Sequence, residues 1–233
     1  MCWSGEASAT VATAGVLCTI YAAYKKQPMP LWMCLGYFSL MEALQAYTYS
    51  VIDNCDSPSN QVATLLGYLH ITFQPFFING VALHFIDQRV AKKIAPFAYT
   101  VCFAAAILML IKIYPFGWTG HCSAWRPMCG KLLCAIHGNW HIAWSLPVNN
   151  IGERFSGYFL AGFVMPALYG SWRWVLFHLL AGPLLAYTTT TNMNEWPAIW
   201  CLFSFGFCFI AFETPVRRML YVKRLWYWKG TNA

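Results

Sequence analysis

The sequence predicts an all-α fold: a polytopic, seven-transmembrane-helix bundle. Three observations carry that expectation. Apolar residues make up 59% of the 233 residues, against about 45–50% in a typical soluble domain. Charged residues make up only 10%, against roughly 25%. Aromatics reach 18%, mean hydropathy is +0.47, and the apolar residues fall into seven runs of about the length that crosses a hydrocarbon core. A soluble domain of this size could not hide that much apolar surface. Disorder is excluded because disordered chains are polar and charged. A small disulfide scaffold is excluded because the ten cysteines are spread along the chain and several sit inside apolar runs.

The runs cover residues 7–24, 31–52, 61–86, 96–114, 151–170, 172–189 and 195–212. The turn chemistry between them is plain: Gln27-Pro28-Met29-Pro30, then Asp53 to Pro58, then Thr191 to Asn194. Asn194 before Glu195 and Pro197 reads as a helix start, with a cap, an early acid and a first-turn proline. Residues 115–150 form a long outer segment between the fourth and fifth runs, and 213–233 form a basic tail. All belong to one membrane domain.

Orientation follows from the cations in short loops. Lys25, Lys26, Arg89, Lys92, Lys93, Arg173, Arg217, Arg218, Lys223, Arg224 and Lys229 share one side, eleven of the 15 Lys and Arg. That side is predicted cytoplasmic, so the N-terminus lies outside and the C-terminus inside, in a plasma or inner membrane. Tryptophans near both ends of the runs, such as Trp3, Trp118, Trp140 and Trp196 outside and Trp32, Trp172 and Trp226 inside, form the expected aromatic belts. The net charge of +7 is thus a topology signal. It points to the lipid bilayer as partner and not to nucleic acid.

Ionisable groups at mid-membrane depth are expensive, and they mark function by default. A rise of 1.5 Å per residue puts Glu42, His70 and His178 at depths of ~15, ~14 and ~16 Å. Glu with two His is a ligand set for one transition metal: zinc, iron or copper. Gln45, Gln74 and Asn79 would orient the ligands or bind a ligand themselves. The alternative is a structural hydrogen-bond network between helices. Gln74-Pro75, Pro166 and Gly182-Pro183 can free backbone carbonyls to line a cavity. Two functions fit. One is a metal-dependent membrane enzyme acting on a lipid-like or small hydrophobic substrate. The other is a transporter, channel or receptor that binds a small hydrophobic or ionic ligand, or relays protons, at the same site.

Cys122, Cys129 and Cys134 lie in the outer segment, and Cys2 and Cys55 share its face. Outside the cell these five are disulfide candidates, and two bridges would leave one thiol over. Spacing does not fix the pairing. A Cys/His metal site is the other reading: Cys134, His137 and His141 recur at three and four residues. From Lys131 to Ser145 that spacing predicts an amphipathic interfacial helix, with Gly138 against it. Cys18, Cys34, Cys102, Cys201 and Cys208 read as small apolar residues within the bilayer.

The runs YFSLMEALQAYTYSVIDNC, YLHITFQPFFIN, MCGKLLCAIHGNWHIAW and NEWPAIWCLFSFG resemble an uncharacterised seven-helix membrane family of bacteria and large viruses, a domain of unknown function. The resemblance covers Cys2 to about Tyr227. It implies the seven-helix fold and no activity. By that pattern Glu42, Gln45, His70, Gln74, Trp140 and His141 belong to family motifs, and His137 departs from it. A retinal protein is not expected, because residues 195–212 hold no lysine for a Schiff base.

Overall fold

The computed structural model describes residues 3–123, 125–151, 156–201 and 204–222. Cys2, Lys223, Arg224, Trp226 and Lys229 lie outside the described residues. The described chain is largely helical, with one small antiparallel hairpin. Four long helices come first: α1 (Gly5–Tyr24), α2 (Met29–Tyr49), α3 (Pro58–His84) and α4 (Gln88–Lys112). α1 and α4 are each long and apolar enough to cross a membrane.

Local chemistry sets the ends of these helices. Ser4 Oγ accepts the Ala7 amide at 3.2 Å to start α1, and Lys26 turns the chain at φ 52° after it. Prolines occupy the first turns of α2 and α3, where a missing N–H costs nothing. The Asp87 carboxylate accepts the Arg89 amide at 2.9 Å. α4 therefore begins eight residues before the predicted start at Pro96, because the cap precedes the apolar run. The α1–α2 crossing is close because small residues face each other. A Cβ on Gly15 would stand 2.1 Å from Ser39 Oγ, and one on Gly36 3.0 Å from Thr19 Cγ2.

The later runs are broken. The fifth is a short helix α5 (Gly157–Phe159), a π turn (Leu160–Val164) and α6 (Met165–Leu168). The sixth splits at Gly182 (φ −109°, ψ −92°) into α7 (Trp172–Ala181) and α8 (Pro183–Thr189). The Gly182-Pro183 pair explains the break, since proline cannot donate back to the preceding turn. The last run opens with a 3₁₀ turn (Met193–Glu195), then α9 (Trp196–Cys201) and α10 (Ser204–Ala211), before α11 (Pro215–Leu220). Its cap is Asn192, whose side chain accepts the Asn194 amide at 3.1 Å, and not Asn194. Asn194 instead donates to the Cys129 carbonyl at 3.3 Å.

The outer segment corrects the predicted helix. Residues Cys134–His137 (β1) and Ile142–Ser145 (β2) form an antiparallel hairpin, with His137 paired to Ile142. Three tertiary contacts override the helical spacing. Asn60 brackets Ala135, accepting its amide at 2.9 Å and donating to its carbonyl at 2.9 Å. Cys134 is bonded to Cys55. Glu195 collects the amides of the turn. A second disulfide joins Cys122 to Cys129. Cys18, Cys34, Cys102, Cys201 and Cys208 are free thiols.

The main core lies at the opposite end from the hairpin, around Phe38, Phe85, Trp174 and Phe207. The C-terminal segment closes it: Val222 donates its amide to the Phe85 carbonyl at 2.8 Å. Arg217, buried, donates to Gln27 Oε1 at 2.7 Å.

Candidate functional site

Helix α2 presents Glu42, Gln45 and Tyr49 on one face, because spacings of three and four return to the same side. Glu42 and Gln45 are completely buried. Neither carboxylate oxygen of Glu42 and neither amide atom of Gln45 closes a well-formed hydrogen bond in the protein. More than about 90% of buried polar groups in folded proteins are paired. Two neighbouring buried polar side chains without a well-formed bond in the protein are therefore the candidate site. The Ser8 hydroxyl accepts from Trp3 Nε1 at 2.8 Å and keeps its own proton to donate toward the Glu42 carboxylate.

From this pair a polar column runs toward the hairpin. Tyr49 lies within electrostatic range of Glu42 and Glu195, and its hydroxyl meets His141 Nδ1 at 3.2 Å. The same nitrogen accepts the Ile142 amide at 2.7 Å. That bond fixes Nδ1 as the acceptor, so the neutral ring carries its proton on Nε2, which is buried without a partner. Burial pushes the His141 imidazole down to about 3. Trp3 covers the ring, stacked at 5.6 Å.

Glu195 holds the turn of the hairpin in place. Its carboxylate accepts the amides of Asn139 at 2.6 Å, Trp140 at 2.8 Å and His141 at 3.0 Å. Three successive N–H groups around one anion form a nest. Gly138 is required beside it, since a Cβ there would stand 2.4 Å from Glu195 Cδ. No sequence signal identified this role: Glu195 reads as a first-turn acid. Tyr49 was missed as well; the signal that could have found it is its place seven residues from Glu42 on the same helical face.

On the other side of the pair, the Cys201 thiol is within range of Glu42, Gln45 and Gln74. Gln74 Oε1 accepts from the Tyr158 hydroxyl at 2.8 Å. Gln74 and Tyr158 also line a cavity of 570 Å3 under the outer segment, with Tyr68, Met109, Trp196 and Trp200 among its walls. A chain of side chains thus leads from that cavity through Gln74 and Cys201 to Glu42.

The remaining expected site residues fall elsewhere. His178 sits among aromatics, stacked on Phe163 at 4.5 Å and Trp174 at 5.5 Å, and its Nε2 accepts from Trp200 Nε1 at 3.2 Å. The His70 ring stacks on Tyr37 at 3.9 Å. Asn79 ties α3 to the π turn, donating to the Ala161 carbonyl at 2.8 Å and accepting from Tyr169 at 2.9 Å. Among the described residues no three His, Cys, Asp or Glu side chains are grouped to hold a metal ion. Glu42, His70 and His178 do not form a ligand set there, and neither do Cys134, His137 and His141. The hairpin separates the last three: Cys134 is in a disulfide, His141 is buried in the turn, and His137 is exposed against Asp53. Both the ring and the amide of His137 engage the Asp53 carboxylate, the amide at 2.7 Å. Partial burial raises the Asp53 carboxyl, but these bonds and the His137 charge outweigh it and hold it below the usual carboxylate range.

Comparison with known proteins places the chain in one family. Residues 6–221 match the model of a family of unknown function, DUF5765, and the protein belongs to it. No curated protein and no solved structure matches the chain.

Proposed function

We propose that the chain crosses a plasma or inner membrane seven times, with the N-terminus outside, and acts as a transporter, channel or receptor. It binds a small ligand or relays protons at the Glu42–Gln45 site. The observation that carries this reading is the pair of fully buried polar side chains on α2, neither with a well-formed hydrogen bond in the protein. A carboxylate at that depth is costly unless it holds a proton, a ligand or water. Tyr49 and His141 extend from it to the outer hairpin as a relay of exchangeable protons. Gln74 and Cys201 extend from it to the cavity.

Exposed apolar side chains support the membrane. Leu17 and Ile20 on α1, Phe97 and Phe103 on α4, and Leu176 and Leu180 on α7 all face outward. Such a surface suits lipid and not water. α2 and α3, at 21 and 27 residues, also have the length to span. The metal-dependent enzyme reading has no ligand cluster among the described residues to support it.

Infrared difference spectra of protein in lipid, taken between acid and alkaline medium, test the site. The expected result is a buried carboxylic-acid carbonyl band that shifts in heavy water and is missing from Glu42→Gln. A wild-type spectrum without that band, or a band that persists in Glu42→Gln, refutes the reading.

A further inference from the structure

We infer that the cavity beneath the outer segment holds a hydrocarbon chain of an outer-leaflet lipid. The inference rests on the membrane and ligand-binding readings above and names the class of ligand. Three observations carry it. The first is size and wall. The volume of 570 Å3 falls within the range of about 300–1,000 Å3 typical of small-molecule sites. The wall is shared by α3, α4, α5, α9 and the outer segment, through Ile71, Met109, Phe159, Trp200 and Val148.

The second is that polar side chains of the wall are already engaged within the protein. Tyr68 donates its hydroxyl proton to the Met109 carbonyl at 2.7 Å, and Tyr158 donates to Gln74 Oε1 at 2.8 Å. The Asn149 side chain donates to the carbonyls of Ile111 at 2.9 Å and Tyr114 at 2.8 Å. The indole N–H groups of Trp196 and Trp200 go to the Thr190 carbonyl at 3.3 Å and to His178 Nε2 at 3.2 Å. What these residues have left to offer a guest is ring face and aliphatic carbon. Water inside would find few partners, and a buried water needs about two to four.

The third is position. Elements that bound the cavity also carry exposed apolar side chains. Ile107 stands two residues before Met109 on α4, and Leu184 and Leu185 directly follow the lining Pro183 on α8. Phe159 lines the cavity and is itself half exposed, so the cavity borders lipid at α5. Lys112 and Arg126, also in the lining, belong to the last turn of α4 and to the outer segment, at headgroup level in this orientation. A lipid beside Phe159 can therefore pass a tail inward and keep its head at that level. The tail gains nothing by leaving other tails, because both surroundings are apolar. The gain falls to the protein: an unfilled void leaves wall atoms without dispersion partners and destabilises in proportion to its volume.

Photolabelling of the full chain in phosphatidylcholine nanodiscs tests this. The probe is a phosphatidylcholine with a diazirine on one acyl chain, and labelled residues are mapped by peptide mass spectrometry. Label is expected on Ile71, Met109 and Trp200 in the cavity, as well as on the exposed Leu17 and Ile20 of α1. Met109→Trp and Val148→Trp fill the cavity from two walls. Each should cut the label on Ile71 and Trp200 about tenfold while leaving the α1 label unchanged, and the α1 label shows that the variant has inserted. If one variant does not insert, the other decides, and the wild-type pattern can overturn the inference without either. Label on α1 with none in the cavity overturns it, and so does cavity label that filling does not reduce. No label on α1 or in the cavity refutes the membrane reading itself. The infrared test of Glu42 uses no labelled lipid. A normal Glu42 band beside an unlabelled cavity therefore sinks this inference alone, and a missing band beside a labelled cavity sinks the proton-relay reading alone.

Discussion

Acid should loosen the outer hairpin before it unfolds the rest of the protein, and His141 sets the size of the effect. In an unfolded chain the imidazole titrates near 6.5. In the folded protein burial pushes it down to about 3. Between those values the unfolded or opened state binds a proton that the closed state refuses. Stability is therefore full above 6.5 and falls as pH drops toward 3. Integrated from pH 7 to pH 5, the loss is about 2 kcal/mol, or roughly a 30-fold rise in the open population. Asp53 is held below the usual carboxylate range, so the carboxylate that accepts the His137 amide stays ionised at pH 5. Hydrogen exchange of the amides of residues 134–145, corrected for the intrinsic pH dependence of exchange, reads the effect. Protection should fall about 30-fold between pH 7 and pH 5 in wild type, and by much less in His141→Gln, which is neutral throughout. If both proteins lose protection equally, or wild type loses none, the buried neutral histidine is not what couples the hairpin to pH.

Three further perturbations separate the contacts around the hairpin. Glu195→Gln replaces an acceptor pair by one acceptor and one donor, leaving at least one turn amide unpaired at about 1–3 kcal/mol; lower hydrogen-exchange protection confined to residues 138–141 is the expected result. Gly138→Ala drives a Cβ into the Glu195 carboxylate and should lower the melting temperature by at least as much as Glu195→Gln; an unchanged melting temperature would show that the turn relaxes freely. Cys55→Ser with Cys134→Ser removes a bridge across a separation of 79 residues, and loop-closure entropy assigns such a bridge about 4.5 kcal/mol, to be checked by chemical denaturation with the Cys122–Cys129 bridge left intact.

Part of the fold was legible because apolar length and punctuation are local. Proline in the first turns of α2 and α3, the cysteines within the runs, and the break at Gly182-Pro183 needed only neighbours in sequence. Glu42, Gln45 and Gln74 were legible as candidates for the same reason: a polar side chain inside an apolar run announces itself. Their partners were not legible. Depth along separate helices placed His70 and His178 level with Glu42, but depth says nothing about rotation around the helix axis. Rotation turned His70 against Tyr37 and set His178 among Phe163, Trp174 and Trp200.

The outer segment was misread for a related reason. The spacing of Cys134, His137 and His141 fits a helix, and nothing within Lys131 to Ser145 except Gly138 opposes one. What decides for strands lies more than 50 residues away in both directions, in Asn60, Cys55 and Glu195. By itself the sequence determined composition class, the main helices and the buried acid, because those follow from hydropathy and turn chemistry over short windows. Only the tertiary structure decided which buried groups meet, since pairing depends on helix rotation and on long-range contacts that compete with local propensity. It was the tertiary structure that set Glu195 beneath the hairpin turn, His141 against Tyr49, and Gln74 beside Tyr158 at an apolar cavity.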